Sequence, residues 1–88
     1  MNFHEKRREQ RREASGAVRI RFADPGPQSI EGRLMDVSAS GFRMAHEFPS
    51  LAAGQLVEFA HIEARGRARV MWNRILDGRV ETGFLIIL

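Results

Sequence analysis

The 88-residue sequence predicts an all-β fold, a small antiparallel barrel of six to seven strands that follows a basic N-terminal arm. Short apolar runs alternate with polar residues at a period of two, and turn residues separate these runs by about 8–12 positions. No stretch carries the period of a long helix. Closing the sheet removes the exposed strand edges of so short a chain. We therefore expect one barrel domain over residues 17–88.

The arm is predicted over residues 1–16, which carry charge without a repeating apolar face. Residues 1–13 contain five basic and three acidic side chains, a net charge of +2, and the other 75 residues have a net charge of +1. A nucleic-acid binder more often shows a basic stripe across its folded surface. We expect the arm to be mobile in the free protein.

Six strands are expected after the arm. They cover about residues 17–22, 29–37, 42–44, 55–62, 67–72 and 82–88. In the fifth run, Ala68, Val70 and Trp72 are predicted to face the core. Asp77-Gly78 is the strongest hairpin signal, because both residue types tolerate a positive φ. The last run is apolar on both faces, which favours burial in the barrel, and a partner or dimer surface is the alternative.

Two short motifs carry the candidate ligand site. The arm contains an Arg-x-x-x-Arg spacing in residues 7–11, and residues 36–41 read Asp-x-Ser-x-x-Gly between two strands. Arginine donates paired hydrogen bonds to phosphate oxygens or to O6 and N7 of guanine. Asp36 can accept from the N1–H and N2–H groups of guanine, and the Ser38 hydroxyl adds a donor or acceptor. Gly41 can take a positive φ and permits close approach of the ligand or the arm.

Together, in this order and around the strands of an all-β chain, these motifs resemble those of the PilZ domain, a family of bacterial cyclic di-GMP receptors. The resemblance covers nearly the whole chain. It implies a PilZ-like split barrel whose arm folds over a ligand lying on the barrel surface. The residues that it implies as ligands are Arg7, Arg8, Arg11, Asp36, Ser38 and Gly41, with Arg12 and Arg43 as secondary candidates. The family's spacing to the first strand favours the pair Arg7 and Arg11 over Arg8 and Arg12, and both registers stay open.

The function that this resemblance implies is a non-catalytic, cytoplasmic receptor or adaptor for cyclic di-GMP, in which ordering of the arm creates a surface for a protein effector. We expect no enzyme activity, cofactor, metal or membrane insertion, because no nucleophile-and-base set, cysteine or long apolar run is present. The protein is expected to be a monomer or weak dimer that binds one ligand or an intercalated pair. The alternatives are a degenerate PilZ-like protein-interaction module without nucleotide binding, and a small barrel for single-stranded nucleic acid, for which exposed aromatic residues are too few.

Overall fold

In a computed structural model, the strands of the chain form a seven-stranded antiparallel sheet. The structure describes residues 10–23 and 26–88. The strands are β1 (Arg12–Glu13), β2 (Ala17–Phe22), β3 (Gln28–Val37), β4 (Gly41–His46), β5 (Leu56–His61), β6 (Ala64–Leu76) and β7 (Arg79–Ile87). Six of them follow the order β3-β2-β5-β6-β7-β4, and β4 returns to pair with β3, which closes the barrel. The predicted all-β barrel is confirmed. Among the described residues we find no helix with the length and apolarity that crossing a bilayer requires.

The inward faces of the strands supply an apolar core. Val18 and Ile20 of β2 are fully buried, as the period of two predicts. The centre is aromatic: the Phe42 ring stacks on that of Phe84 at 4.7 Å between centroids and lies 4.8 Å from that of Phe59. Offset aromatic contacts of this kind add to the stabilisation from area burial. The core therefore ties β4, β5 and β7 together across the barrel.

The predicted hairpin at Asp77-Gly78 is confirmed. Leu76 and Arg79 are the last paired residues of β6 and β7, so two residues make the turn. Asp77 has φ 40° and Gly78 has φ 82°, the two positive values that a type I′ turn requires. This turn fixes the register of the longest strand pair in the molecule.

Two one-residue bulges reverse the alternation within strands. One extra residue, Met35, interrupts the pairing of β3 with β4, and another, Met71, interrupts that of β6 with β7. A bulge turns the following side chain to the opposite face of the strand. The prediction that Trp72 faces the core with Val70 is therefore wrong, because Trp72 follows the bulge and is 38% exposed on the outer face.

The C-terminal part of the expected arm belongs to the sheet. Arg12 and Glu13 pair with the end of β3, and the N–H of Ala14 donates to the Met35 carbonyl at 3.1 Å. Gly16, at φ 117°, makes the bend between β1 and β2. Residues 12–14, which the sequence pattern assigned to the arm, are therefore hydrogen-bonded to β3 in the structure. Residues 1–9 lie outside the described part of the chain.

One chain of hydrogen bonds, buried at His46 and Thr82, connects β4, β7 and β6. The Phe48 N–H donates to His46 Nδ1 at 3.1 Å, so the neutral ring carries its proton on Nε2 and donates to Thr82 Oγ1 at 2.7 Å. Thr82 donates to Asn73 Oδ1 at 2.7 Å, and Asn73 Nδ2 donates to the Leu51 carbonyl at 2.7 Å. Burial lowers the pKa of His46, because the charged ring would lose its hydration.

Candidate functional site

The cross-strand register places a row of side chains on the outer wall of the barrel. In this row Glu13 lies opposite Asp36, Asp36 opposite Arg43, Arg43 opposite Gly83, and Gly83 opposite Trp72. A second row beside it contains Arg11, Ser38, Gly41, Leu85 and Arg69. We call these two rows the β3–β4 face. Both motifs that the sequence singled out contribute to it.

Asp36 is the buried acidic centre of the β3–β4 face. A regular strand would put it on the same side as Leu34, in the core, and the Met35 bulge turns it outward instead. Its side chain is only 9% exposed. Arg43 donates to Asp36 Oδ2 from both Nε, at 2.9 Å, and Nη2, at 2.5 Å. The sequence named Arg43 as a secondary ligand, and the structure shows it holding Asp36 in place.

The second oxygen of Asp36 faces Arg11. Arg11 Nε lies 3.4 Å from Oδ1, longer than an ordinary N–H···O bond, and Oδ1 has no hydrogen bond to any other described residue although it is fully buried. Arg11 Nη1 also donates to Ser38 Oγ over 3.3 Å. Both contacts are long and the Arg11 side chain is 43% exposed. Arg11 is therefore the loosely held cation of the site, and Arg43 is the firmly held one.

The hydrogen bond to Asp36 has an electrostatic consequence. It raises the pKa of the Arg43 guanidinium further above its ordinary value, against a smaller opposing effect of burial. The cation is thus permanent and its charge is matched to the carboxylate. Because Arg43 occupies only Oδ2, the pair leaves one oxygen of Asp36 available for a donor that can displace Arg11.

Gly41 is required because two strands of the barrel pack closely together at this position. Its φ is not positive, because the described glycines with positive φ are Gly16, Gly54, Gly66 and Gly78. Instead, a Cβ on Gly41 would overlap the carbonyl oxygen of Phe84 in β7. The close approach that the structure shows at Gly41 is between two strands of the barrel. The Ser38 N–H donates to the Gly41 carbonyl at 2.8 Å and closes the turn.

Trp72 is the candidate site residue that sequence reasoning missed. Its indole lies against Gly83, where a Cβ would overlap the ring, and the Arg74 guanidinium carbon is 5.9 Å from the ring centroid. Because Gly83 has no side chain, the indole packs directly against its backbone, beside Arg43. Gly83 is visible in the sequence as a glycine within a strand, which signals a close approach. The bulge that places Trp72 over it is not visible in the sequence.

The remaining arginine candidates are separated by the structure. Arg12 lies on the other side of β1 from Arg11 and donates to both carboxylate oxygens of Glu63, in the turn between β5 and β6. It therefore does not join Asp36. Arg7 and Arg8 fall outside the described residues. Of the two registers, only that of Arg7 and Arg11 puts its second arginine on the β3–β4 face.

A metal site is not formed by the described residues. Among them no three His, Asp or Glu side chains come close enough together to hold an ion. Glu81, which is buried beside the β3–β4 face, is instead paired with Arg74 and Arg79, both at 2.9 Å. These hydrogen bonds lower the pKa of Glu81.

Comparison with protein-family models and with curated sequences finds no relative of this chain. No protein-family model matches the chain, and no curated protein sequence matches it at a significant level. The interpretation of the site therefore depends on its motifs and on its geometry.

Proposed function

We propose that the chain is a non-catalytic receptor for cyclic di-GMP and that the ligand binds on the β3–β4 face. The observation that supports this best is the carboxylate of Asp36. It is buried and fixed by Arg43 through one oxygen, and its other oxygen makes no hydrogen bond to the described residues. Such an acceptor, placed between arginines and a serine hydroxyl, suits a ligand that offers N–H donors and negative charge together.

Guanine recognition follows from this arrangement. The N1–H and N2–H groups of guanine point in the same direction and can both donate to Asp36, with Oδ1 as the principal acceptor. For this, Arg11 has to leave its long contacts with Asp36 and Ser38. The released guanidinium then has its donors free for a ligand phosphate. The ligand in effect replaces one weak ion pair by a stronger set of charge-assisted hydrogen bonds.

Trp72 gives the proposed site an aromatic surface. Its exposed indole lies three positions along the row from Asp36, past Arg43 and Gly83. A base stacked on an aromatic side chain gains about 1–3 kcal/mol. A ligand with two guanines can place one at Asp36 and the other toward the indole, whereas a ligand with one guanine cannot use both.

Binding is proposed to order the arm and so to produce a signal. The described end of the arm is already paired with β3 through Arg12 and Glu13, and the ligand phosphates would extend this order toward Arg7 and Arg8. A ligand shifts such an equilibrium only by its differential affinity for the two states. The ordered arm would form a new surface for a protein effector in a cytoplasmic adaptor. Amide exchange tests this step: protection of residues 5–11 should rise with ligand, and unchanged exchange in a saturated complex would contradict it.

Isothermal titration of cyclic di-GMP into the purified protein tests the proposed function, with GTP and cyclic di-AMP as controls. Saturable heat with cyclic di-GMP alone is the expected result, and its molar ratio gives one ligand or an intercalated pair. An Asp36→Ala variant should lose this heat. If the parent gives none up to millimolar ligand, the receptor function is wrong. A protein-interaction module that keeps the motifs without the ligand would then be the better description.

A further inference from the structure

A second cationic concavity lies on the wall of the barrel away from the β3–β4 face. It is formed by the outer sides of β2, β5 and β6, has a volume of about 380 Å³, and has arginine walls around a floor of Ala60 and Gly66. The arginines are Arg19, Arg21, Arg65 and Arg67, and the one acidic residue in the lining is Glu58. The lining therefore carries a formal net charge of +3.

The register explains how these arginines surround the floor. Arg19 is opposite Ala60, and Ala60 is opposite Arg65. The two arginines therefore lie on either side of a small residue, on strands whose backbones are about 10 Å apart. In the next row, Arg21 and Arg67 flank Glu58 in the same way. Because the side chain of Ala60 is a single methyl group, and a side chain at Gly66 would point inward toward Phe59, the space between Arg19, Arg65 and Arg67 stays open to a ligand.

The partners of these arginines differ. Arg21 donates to Glu58 at 2.6 Å, and Arg19 uses Nε and Nη2 for Glu31, which leaves Nη1 uncommitted. The side chains of Arg65 and Arg67 form no ion pair or hydrogen bond with any residue in the described ranges 10–23 and 26–88. Two guanidinium groups without a carboxylate partner, beside a third with a spare nitrogen, form an excess of donors at one concavity.

We propose that this concavity is an anion site for a ligand with a phosphate or pyrophosphate group, separate from the nucleotide site on the β3–β4 face. Three arginines approach the floor from two strands, Arg19 from β2 and both Arg65 and Arg67 from β6. A phosphate offers three acceptor oxygens to such a set, whereas a carboxylate offers two in one plane. No exposed aromatic side chain lines the concavity, so recognition depends on the anionic group and not on stacking of a base.

Phosphorus NMR with inorganic pyrophosphate as the probe tests the proposal, with succinate as a carboxylate dianion in competition. The parent protein should shift the pyrophosphate signal saturably at low salt and lose this effect as salt rises. Succinate should compete at least tenfold more weakly. An absent shift in the parent, or equal competition by succinate, would overturn the proposal.

Matched variants locate the site. Arg65→Gln and Arg67→Gln should each weaken pyrophosphate binding at least fivefold. Arg33→Gln removes the same charge from an exposed position of β3 and should change the binding less than twofold. Glu58→Gln should strengthen binding, because it removes the negative charge and releases Arg21. Equal losses in all three arginine variants, or weaker binding with Glu58→Gln, would contradict a defined site.

The same variants separate this site from the proposed nucleotide site. Arg65→Gln and Arg67→Gln should leave the affinity for cyclic di-GMP unchanged, and Asp36→Ala should leave pyrophosphate binding unchanged. Loss of pyrophosphate binding in Asp36→Ala would place the anion on the β3–β4 face and overturn the proposal. Failure of cyclic di-GMP to bind the parent would not affect it.

Discussion

The two arginines next to Asp36 have different tasks, although they belong to the same residue type. Arg43 makes two hydrogen bonds to Oδ2 and is the less exposed of the two, so it fixes the carboxylate. Arg11 makes only long contacts and can leave. The site therefore combines a fixed acceptor with a movable cation, which is what the binding of an anion with N–H donors requires.

The adjacent pair Arg11 and Arg12 gives a matched test of this difference. Arg11→Ala should weaken cyclic di-GMP binding by about 10- to 100-fold, the usual worth of a hydrogen bond to a charged group. Arg12→Ala removes the same charge but only breaks the pair with Glu63, so its affinity should stay within about threefold of the parent. Titration calorimetry measures both.

The reverse outcome would be equally informative. If Arg12→Ala loses the ligand and Arg11→Ala does not, the arm binds in the register of Arg8 and Arg12 and β1 must re-pair on binding. Equal small losses in both variants would show that only the net charge of the arm contributes.

At the scale of the strands, bulges decide which side chains reach the surface. The sequence pattern correctly predicted six of the seven strands and missed β1, which it assigned to the arm. It failed at Trp72 because a single extra residue, Met71, reverses the face. The Met35 bulge does the same for Asp36. Nothing in the local residue types distinguishes an inserted methionine from a regular strand position, since the bulge is set by pairing with a distant strand.

The candidate site shows the same limit. Motif spacing singled out residues that lie together: Asp36 and Ser38 belong to one tight turn, and Arg11, which is distant in sequence, contacts both. The ion pair of Arg43 with Asp36 depends on the bulged register of the β3–β4 hairpin. The position of Trp72 depends on the register across β4, β7 and β6. Short sequence patterns contain neither register.

The contact between β4 and β7 gives a prediction for Gly41. Gly41→Ala should lower the free energy of unfolding by about 1–3 kcal/mol, because its methyl group would overlap the Phe84 carbonyl and force the strands apart. Gly26→Ala is the control, since a Cβ there meets nothing within 4 Å. Urea denaturation of both variants measures the difference, and a Gly41→Ala protein as stable as the Gly26→Ala control would contradict the reported strand approach.

For the molecule as a whole, two histidines, His46, which is buried, and His61, which is partly buried, predict how stability depends on pH. Burial lowers the pKa of His46 and of His61 in the folded state. The stability that this linkage contributes is therefore fully present above the unfolded pKa of about 6.5 and is lost as the pH falls toward the lowered folded values. Denaturation midpoints should thus decrease below about pH 6.5, before the paired carboxylates of Glu63 and Glu81, whose pKa values are lowered, begin to contribute at more acidic pH.

His46→Gln tests the origin of this pH dependence. The amide can keep a hydrogen bond to Thr82 but does not titrate, so the decrease between about pH 6.5 and pH 5 should become shallower, with the remainder due to His61. A curve as steep as that of the parent would show that His46 does not contribute.

The barrel as a whole presents two different walls, the β3–β4 face with a buried carboxylate and the opposite wall with unpaired arginines. The most direct test of the central claim is therefore a map of where cyclic di-GMP binds, from backbone amide NMR shifts during a titration. The account predicts that the shifts concentrate at Arg11, at residues 36–43, and at Trp72 and Gly83, with the amides of β2 and β5 unchanged. Shifts centred on β2 and β5, or none in the presence of millimolar ligand, would contradict it.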